Sequence, residues 1–118
     1  MFCQLKPVFA DVAPRLVVQR DSVSEYSLVG DVPSPFPQHK GHPLEFGSVV
    51  EGQASVSVHL MPLYMDATLT ALVTPALEKR MTGKSCFHFE EMPEAEMVAE
   101  LKTLIGAAYE KWNQKGWI

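Results

Sequence analysis

Cysteine is scarce in this sequence, which has only Cys3 and Cys86 among its 118 residues. Small secreted domains are commonly held together by several disulfides, and structural zinc sites need cysteine pairs at short spacing. Neither pattern occurs in the chain. The first residues also lack the basic stretch followed by an unbroken apolar stretch that a signal peptide requires. The sequence therefore predicts a cytoplasmic protein with reduced thiols.

Long hydrophobic runs and clusters of positive charge are lacking as well. No stretch approaches the roughly 18 apolar residues of a membrane span. The ten Lys and Arg residues are scattered along the chain, and the net charge is −4. Nucleic-acid phosphates and anionic membrane surfaces attract concentrated positive charge. We therefore expect neither nucleic acid nor membrane as a partner.

What the sequence does contain is the composition of a globular protein, with 47% hydrophobic and 20% charged residues. Its length matches one domain, since domains cluster at roughly 100–150 residues. No internal repeat or change in composition divides it. We expect residues 1–118 to form a single domain.

Apolar residues that alternate along the chain predict strands, and spacings of three and four predict helices. The clearest strands flank the Gly-containing connection 51–53, and their apolar residues are Leu44, Phe46 and Val50, then Val56, Val58 and Leu60. Further strands are expected at 15–19, 26–29 and 86–89, and the strongest helix at 93–115. Two shorter helices are expected before Gly83: one capped by Asp66, and one that begins at Thr74-Pro75 and carries Met81 on its apolar side. The order predicts an α+β fold: two layers, a mainly antiparallel sheet with helices packed on one face, and a long C-terminal helix.

The segment between residues 32 and 43 contains four prolines, two histidines and a lysine. Proline cannot donate the hydrogen bonds of a sheet, so this segment is expected to be an extended loop. Loops of this length are either functional or simply mobile surface excursions.

Two segments, 56–65 (VSVHLMPLYM) and 79–89 (KRMTGKSCFHF), carry a resemblance to a known family. Together with a long helix ending in Gly116-Trp117-Ile118, they resemble the YdhG-like family of domains, over most of the chain. The resemblance implies an α+β fold and no catalytic mechanism. For some members it also implies a frataxin-like iron chaperone role, in which acidic surface residues carry the metal.

The sequence Gly83-Lys84-Ser85 invites comparison with a phosphate-binding loop. That motif needs a second glycine five positions before Gly83, where this chain has Glu78. We therefore reject nucleotide binding by this loop. Lys84 stays a candidate for binding an anion together with Arg80.

A second candidate site lies on the predicted sheet. His59 is on the polar side of its strand, and Cys86 and His88 lie opposite Phe87 and Phe89. If the two strands are neighbours, these three side chains could converge on the face that the helices leave open, with ligand types that suit zinc. Alternatively, the cysteine is a small buried residue and the histidines are only hydrogen-bonded.

The same open face is a candidate binding surface, and it is expected to be partly polar and partly apolar through Val49 and Tyr64. Its expected residues are His59, Tyr64, Lys84, Cys86 and His88. Such a face suits a homodimer interface or a groove for a protein or small ligand. An ordinary solvated face accounts for the same pattern equally well.

Carboxylates crowd the start of the last helix, where we find Glu91, Glu94, Glu96 and Glu100. Oxygen ligands suit hard cations, so weak iron binding along this ridge is chemically reasonable. Glutamates also favour helix N-termini without any metal.

Enzyme chemistry has little support in the sequence. Cys86 and His88 on one strand face would lie roughly 7 Å apart, too far for a thiolate and its base. We expect a non-catalytic binding or interaction domain without a cofactor; weakly bound iron is expected only under the alternative that follows. The alternative is an iron-binding chaperone that uses the glutamates.

Overall fold

The structure, a computed structural model, describes residues 2–118. Its strands are β1 (Val17–Asp21), β2 (Glu25–Val29), β3 (Glu45–Glu51), β4 (Val56–Leu60), β5 (Met81–Thr82) and β6 (Cys86–Phe89). Its α-helices are α1 (Phe2–Leu5), α2 (Met61–Met65), α3 (Ala67–Thr70), α4 (Pro75–Glu78) and α5 (Ala95–Gln114). Short 3-10 helices cover Lys6–Phe9, Ala13–Arg15 and Pro37–His39.

The six strands form one antiparallel sheet in the order β1-β2-β3-β4-β6-β5. The helices pack on one of its faces, and the longest of them, α5, comes last in the chain. The predicted α+β architecture is therefore confirmed. Within residues 2–118, no helix combines the length and the apolar character needed to cross a membrane.

The core lies between α5 and the covered face of the sheet. Val49, Val58 and Phe87 are cross-strand partners and are fully buried. The helix contributes a stripe at spacings of three and four, as expected for an amphipathic helix: Leu101, Leu104, Ile105, Ala108 and Trp112. Burial alternates strictly along β4, which sends Ser57 and His59 to the opposite face.

In β3 the predicted alternation is wrong. Val29 pairs with Glu45 and Leu28 pairs with Gly47, so Phe46 is an extra residue that bulges between these two pairs. The bulge changes which residues face the core. Val49 is therefore buried rather than on the open face, and Val50, 37% exposed, takes the open face instead.

The 3-10 helix Lys6–Phe9 packs directly on β3 at Gly47. A Cβ added to Gly47 would lie 2.6 Å from Cε1 of Phe9 and 2.8 Å from the carbonyl oxygen of His59. Real Cβ contacts essentially never come so close. Glycine at this position is therefore what allows the N-terminal segment to cover the sheet.

The segment from 66 to 82 is less helical than predicted. Asp66 and Thr74 do cap α3 and α4, accepting hydrogen bonds from the amides of Thr68 and Leu77. However, α4 ends at Glu78, and Met81, predicted to lie on the helix, belongs to the short strand β5 beside β6.

The segment between β2 and β3 is an ordered loop without strands, as its prolines predict. Its ends are joined by a hydrogen bond from the amide of Gly30 to the carbonyl of Leu44 (2.9 Å), and a second one joins Ser34 to His42 (3.2 Å). Phe36 in this loop contacts the ring of Trp117, with ring centroids 5.4 Å apart. The loop is therefore attached to the end of α5.

Candidate functional site

The face of the sheet opposite the helices is lined by small polar side chains and two histidines. Strand pairing places Ser27, Ser48, His59 and Cys86 in one row across β2, β3, β4 and β6. A parallel row contains Val50, Ser57 and His88. Because β4 and β6 are neighbours, the three predicted residues His59, Cys86 and His88 do lie on adjacent strands of one face.

His59 occupies the centre of this face and has a partner on each ring nitrogen. Its Nε2 lies 2.9 Å from Oγ of Ser85, and its Nδ1 lies 3.9 Å from Oε1 of Glu45. The neighbouring imidazole lowers the pKa of Glu45 below its usual value of 4.5, although burial of the carboxyl group acts in the opposite direction. Glu45 is therefore held in its charged form next to His59.

Ser85, His59 and Glu45 follow each other in the order of a catalytic triad: nucleophile, base and acid. Their geometry fits a structural role better than a catalytic one. The distance of 3.9 Å between Glu45 and His59 is longer than a hydrogen bond. Ser85 is buried, with 9% of its surface exposed. A serine nucleophile needs room for a substrate carbonyl beside its oxygen.

His88 forms a separate contact, with its Nδ1 3.0 Å from Oγ of Ser57. Among residues 2–118, no group of three or more His, Cys, Asp or Glu side chains is arranged to hold a metal ion. His59, Cys86 and His88 therefore do not form such a group in this arrangement, and a metal held by them stays a prediction. Each imidazole contacts a serine hydroxyl instead, His59 that of Ser85 and His88 that of Ser57.

Two of the predicted face residues lie elsewhere. Tyr64 is on α2 and is 65% exposed, because the chain turns into a helix directly after Leu60 with Pro62 in the first turn. Lys84 lies in the turn between β5 and β6. Neither side chain is part of the sheet face.

The four glutamates of the predicted ridge are placed around the start of α5 but do not share one centre. Glu91 precedes the helix, Glu94 is its N-cap residue and Glu96 lies in its first turn. Glu100 accepts a hydrogen bond from Oγ1 of Thr74 at 3.0 Å. In the part of the chain that the structure describes, these glutamates do not form a metal-binding group.

A concavity lies between the Pro-rich loop and α2, and we call it the loop cleft. Its volume is about 590 Å³. Its apolar walls come from Phe36, Pro43, Leu44, Met61, Tyr64 and Met65, and its polar lining comes from Gln38, His39, Lys40, His42 and Glu45. Glu45 therefore belongs both to the loop cleft and to the contact with His59.

The loop places its basic groups at the rim of the loop cleft. His39 is held in position by its Nδ1, which lies 2.6 Å from Oγ of Ser34, and by edge contact with the ring of Phe36. Lys40 follows in a left-handed conformation, with φ 51° and ψ 37°. The loop therefore presents an ordered imidazole and an exposed ammonium group to the same concavity.

Sequence reasoning missed the loop-cleft residues His39, Lys40, His42 and Glu45. A partial signal was available, since a long loop that carries two histidines and a lysine is either functional or a mobile surface excursion. What the sequence does not reveal is that α2 packs opposite this loop.

Comparisons with protein-family models, with curated proteins and with solved structures find no match to this chain. The YdhG-like assignment therefore stays a prediction from two sequence segments. The chemistry of the chain's own residues is what bears on its function.

Proposed function

We propose that this protein is a non-catalytic binding protein that holds a small, largely apolar ligand in the loop cleft. The observation that carries the proposal is the shape and lining of this concavity. Ligand sites typically have volumes of roughly 300–1,000 Å³, mostly apolar walls and a few polar groups. The loop cleft, at about 590 Å³ with six apolar wall residues, has all three properties.

Both walls of the loop cleft are anchored to the body of the protein, which favours a site that exists before the ligand arrives. The loop is closed by backbone hydrogen bonds at its base and contacts Trp117 through Phe36. On the other wall, α2 is fixed by the buried residues Pro62 and Leu63. Met61 and Met65 project from this helix, and methionine side chains adapt readily to different ligand shapes.

The environment of the remaining polar groups supports binding rather than catalysis. Ser85 and His59 do not line the loop cleft themselves; of the three residues in this contact only Glu45 does. Cys86 and His88 are two residues apart on one strand, a separation of roughly 7 Å that does not allow direct proton transfer.

The proposal is tested by titrating the ¹⁵N-labelled protein with a library of small aromatic and aliphatic compounds and following its amide resonances. Bound compounds should shift the amides of residues 36–45 and 61–65. Gln38→Trp should abolish these shifts, because Gln38 is an exposed residue of the loop cleft and an indole there would fill it. Gln53→Trp, in the exposed β3–β4 connection, is the matched control and should leave binding unchanged.

Binding that maps to other residues, or that persists unchanged in Gln38→Trp, would overturn the assignment of the loop cleft as the ligand site.

A further inference from the structure

We infer that the ligand of the loop cleft is an amphipathic carboxylate, an acid with an aromatic or alkyl body whose charged end meets Lys40. The inference rests on the proposed function, because it concerns the ligand of the same site. Three features of the loop cleft support it: its charge, its backbone conformation and its apolar walls.

Two charged groups line the loop cleft, Lys40 and Glu45, and they do not form an ion pair with each other. Among the residues that the structure describes, Lys40 has no carboxylate partner, whereas the Glu45 carboxylate faces His59. The side chains of His39 and His42 line the loop cleft beside Lys40. A ligand carboxylate would therefore meet an unpaired ammonium group and two imidazoles that can donate hydrogen bonds.

The backbone at Lys40 provides independent support. Within residues 2–118, Lys40 is the only non-glycine residue with a positive φ, and Gly41 after it has φ 83°. Glycine and asparagine adopt this conformation at lower cost than lysine does. Unfavourable backbone conformations are concentrated at ligand-binding sites. The presence of lysine at a position better suited to glycine indicates that the Lys40 side chain has a role. Since Lys40 lines the loop cleft, we place that role there.

The apolar walls determine the rest of the ligand. Phe36 and Tyr64 offer aromatic surfaces, while Met61 and Met65 offer flexible ones. A second charge on the ligand body would face these walls without a partner, which is costly. We therefore expect one carboxylate on an otherwise apolar skeleton, rather than a phosphorylated or polyanionic molecule.

The test compares three compounds that share one apolar body and differ in charge: naphthylacetate, naphthylacetamide and naphthylethylamine. Each is titrated into the ¹⁵N-labelled protein at neutral pH. The acid should shift the amides of residues 36–45 and 61–65 and should bind at least about tenfold more tightly than the amide, the gain expected from one charge-assisted hydrogen bond. The amine should bind most weakly.

Two lysine variants assign this preference to one residue. Lys40→Asn suits the left-handed backbone and so keeps the fold, but it should remove the preference for the acid. Lys102→Gln removes an exposed lysine from α5, away from the loop cleft, and should keep the preference.

The outcomes separate the inference from the proposed function. Equal binding of acid and amide, or a preference that survives in Lys40→Asn, overturns the carboxylate inference and leaves the loop cleft as a binding site. The absence of binding by all three compounds and by the wider library overturns the proposed function as well.

Discussion

Glu45 lies where the sheet face meets the loop cleft, and its interaction with His59 gives a pH-dependent contribution to stability. Its pKa is lower in the folded protein than in the unfolded chain, where it is about 4.5. The stabilisation is therefore fully present above the pKa of Glu45 in the unfolded chain. It is lost as the pH falls through the lower pKa that Glu45 has in the folded protein. Glu45→Gln should reduce the acid-induced loss of stability in this range.

This prediction is checked by urea unfolding of the wild type and Glu45→Gln from about pH 3 to about pH 7. Glu91→Gln, which removes an exposed carboxylate outside this contact, is the control. Parallel free-energy curves for the wild type and Glu45→Gln would show that the contact with His59 does not contribute.

Replacing glycine by alanine should have opposite effects on the free energy of unfolding at two positions. Gly47→Ala should lower the free energy of unfolding by about 1–3 kcal/mol, because the new methyl group would overlap the buried ring of Phe9. Gly106→Ala, in the middle of α5 with no atom within 4 Å of the new methyl, should raise it by about 0.5–1 kcal/mol. Chemical denaturation measures both. A neutral Gly47→Ala would mean that the 3-10 helix can move away from β3 without cost.

At the scale of elements, Thr74 connects two helices. Its hydroxyl oxygen accepts the amide hydrogen bond of Leu77 that caps α4, and it donates to Glu100 on α5. Thr74→Ala should cost about 1–2 kcal/mol of stability because both bonds are lost. Thr103→Ala removes an exposed hydroxyl that bonds within α5 and should change stability by less than about 0.5 kcal/mol. Equal effects of the two substitutions would rule out a special role for Thr74.

The first turns of α5 also allow a test of the iron-chaperone alternative. Glu96 and Glu100 are one helical turn apart, which makes them neighbours on the helix surface. Saturable broadening of the amides of residues 91–100 by Fe²⁺ under anaerobic conditions, lost in the Glu96→Gln/Glu100→Gln variant, would support that alternative. Broadening that does not saturate, or that is unchanged in the variant, would count against it.

The elements that the sequence predicted well are those whose signals are local. The β3–β4 hairpin, the caps at Asp66 and Thr74, and the extent of α5 all follow from residues close in the chain. The bulge at Phe46 and the strand β5 were missed because they depend on pairing with β2 and β6, which alternation within one strand does not encode.

The candidate site was predictable to a similar, limited degree. The period of two placed His59, Cys86 and His88 on one face, because that depends only on strand geometry. The loop cleft was not predictable, because it is created by the packing of α2 against a loop that contacts Trp117 at the far end of the chain.

At the scale of the whole molecule, a series of aromatic contacts joins the loop to the core. Phe36 contacts Trp117, Trp117 contacts Trp112, and Trp112 contacts Phe46. Trp117→Ala should destabilise the protein by about 1–3 kcal/mol and should also increase the amide hydrogen exchange of residues 36–45 more than that of β4. Trp117→Phe should keep most of the protection. A uniform increase in exchange across the molecule would show that the loop does not depend on this contact.

The same contacts have an optical consequence. The chain has two tryptophans, and their ring centroids lie 5.9 Å apart with an angle of 72° between the ring planes. Two indole transition dipoles at this separation interact strongly, so the pair should produce an exciton couplet in the ultraviolet circular dichroism spectrum. Phe36 lines the loop cleft and touches one member of the pair. The unlabelled protein thus contains its own chromophore pair for following occupancy of the loop cleft.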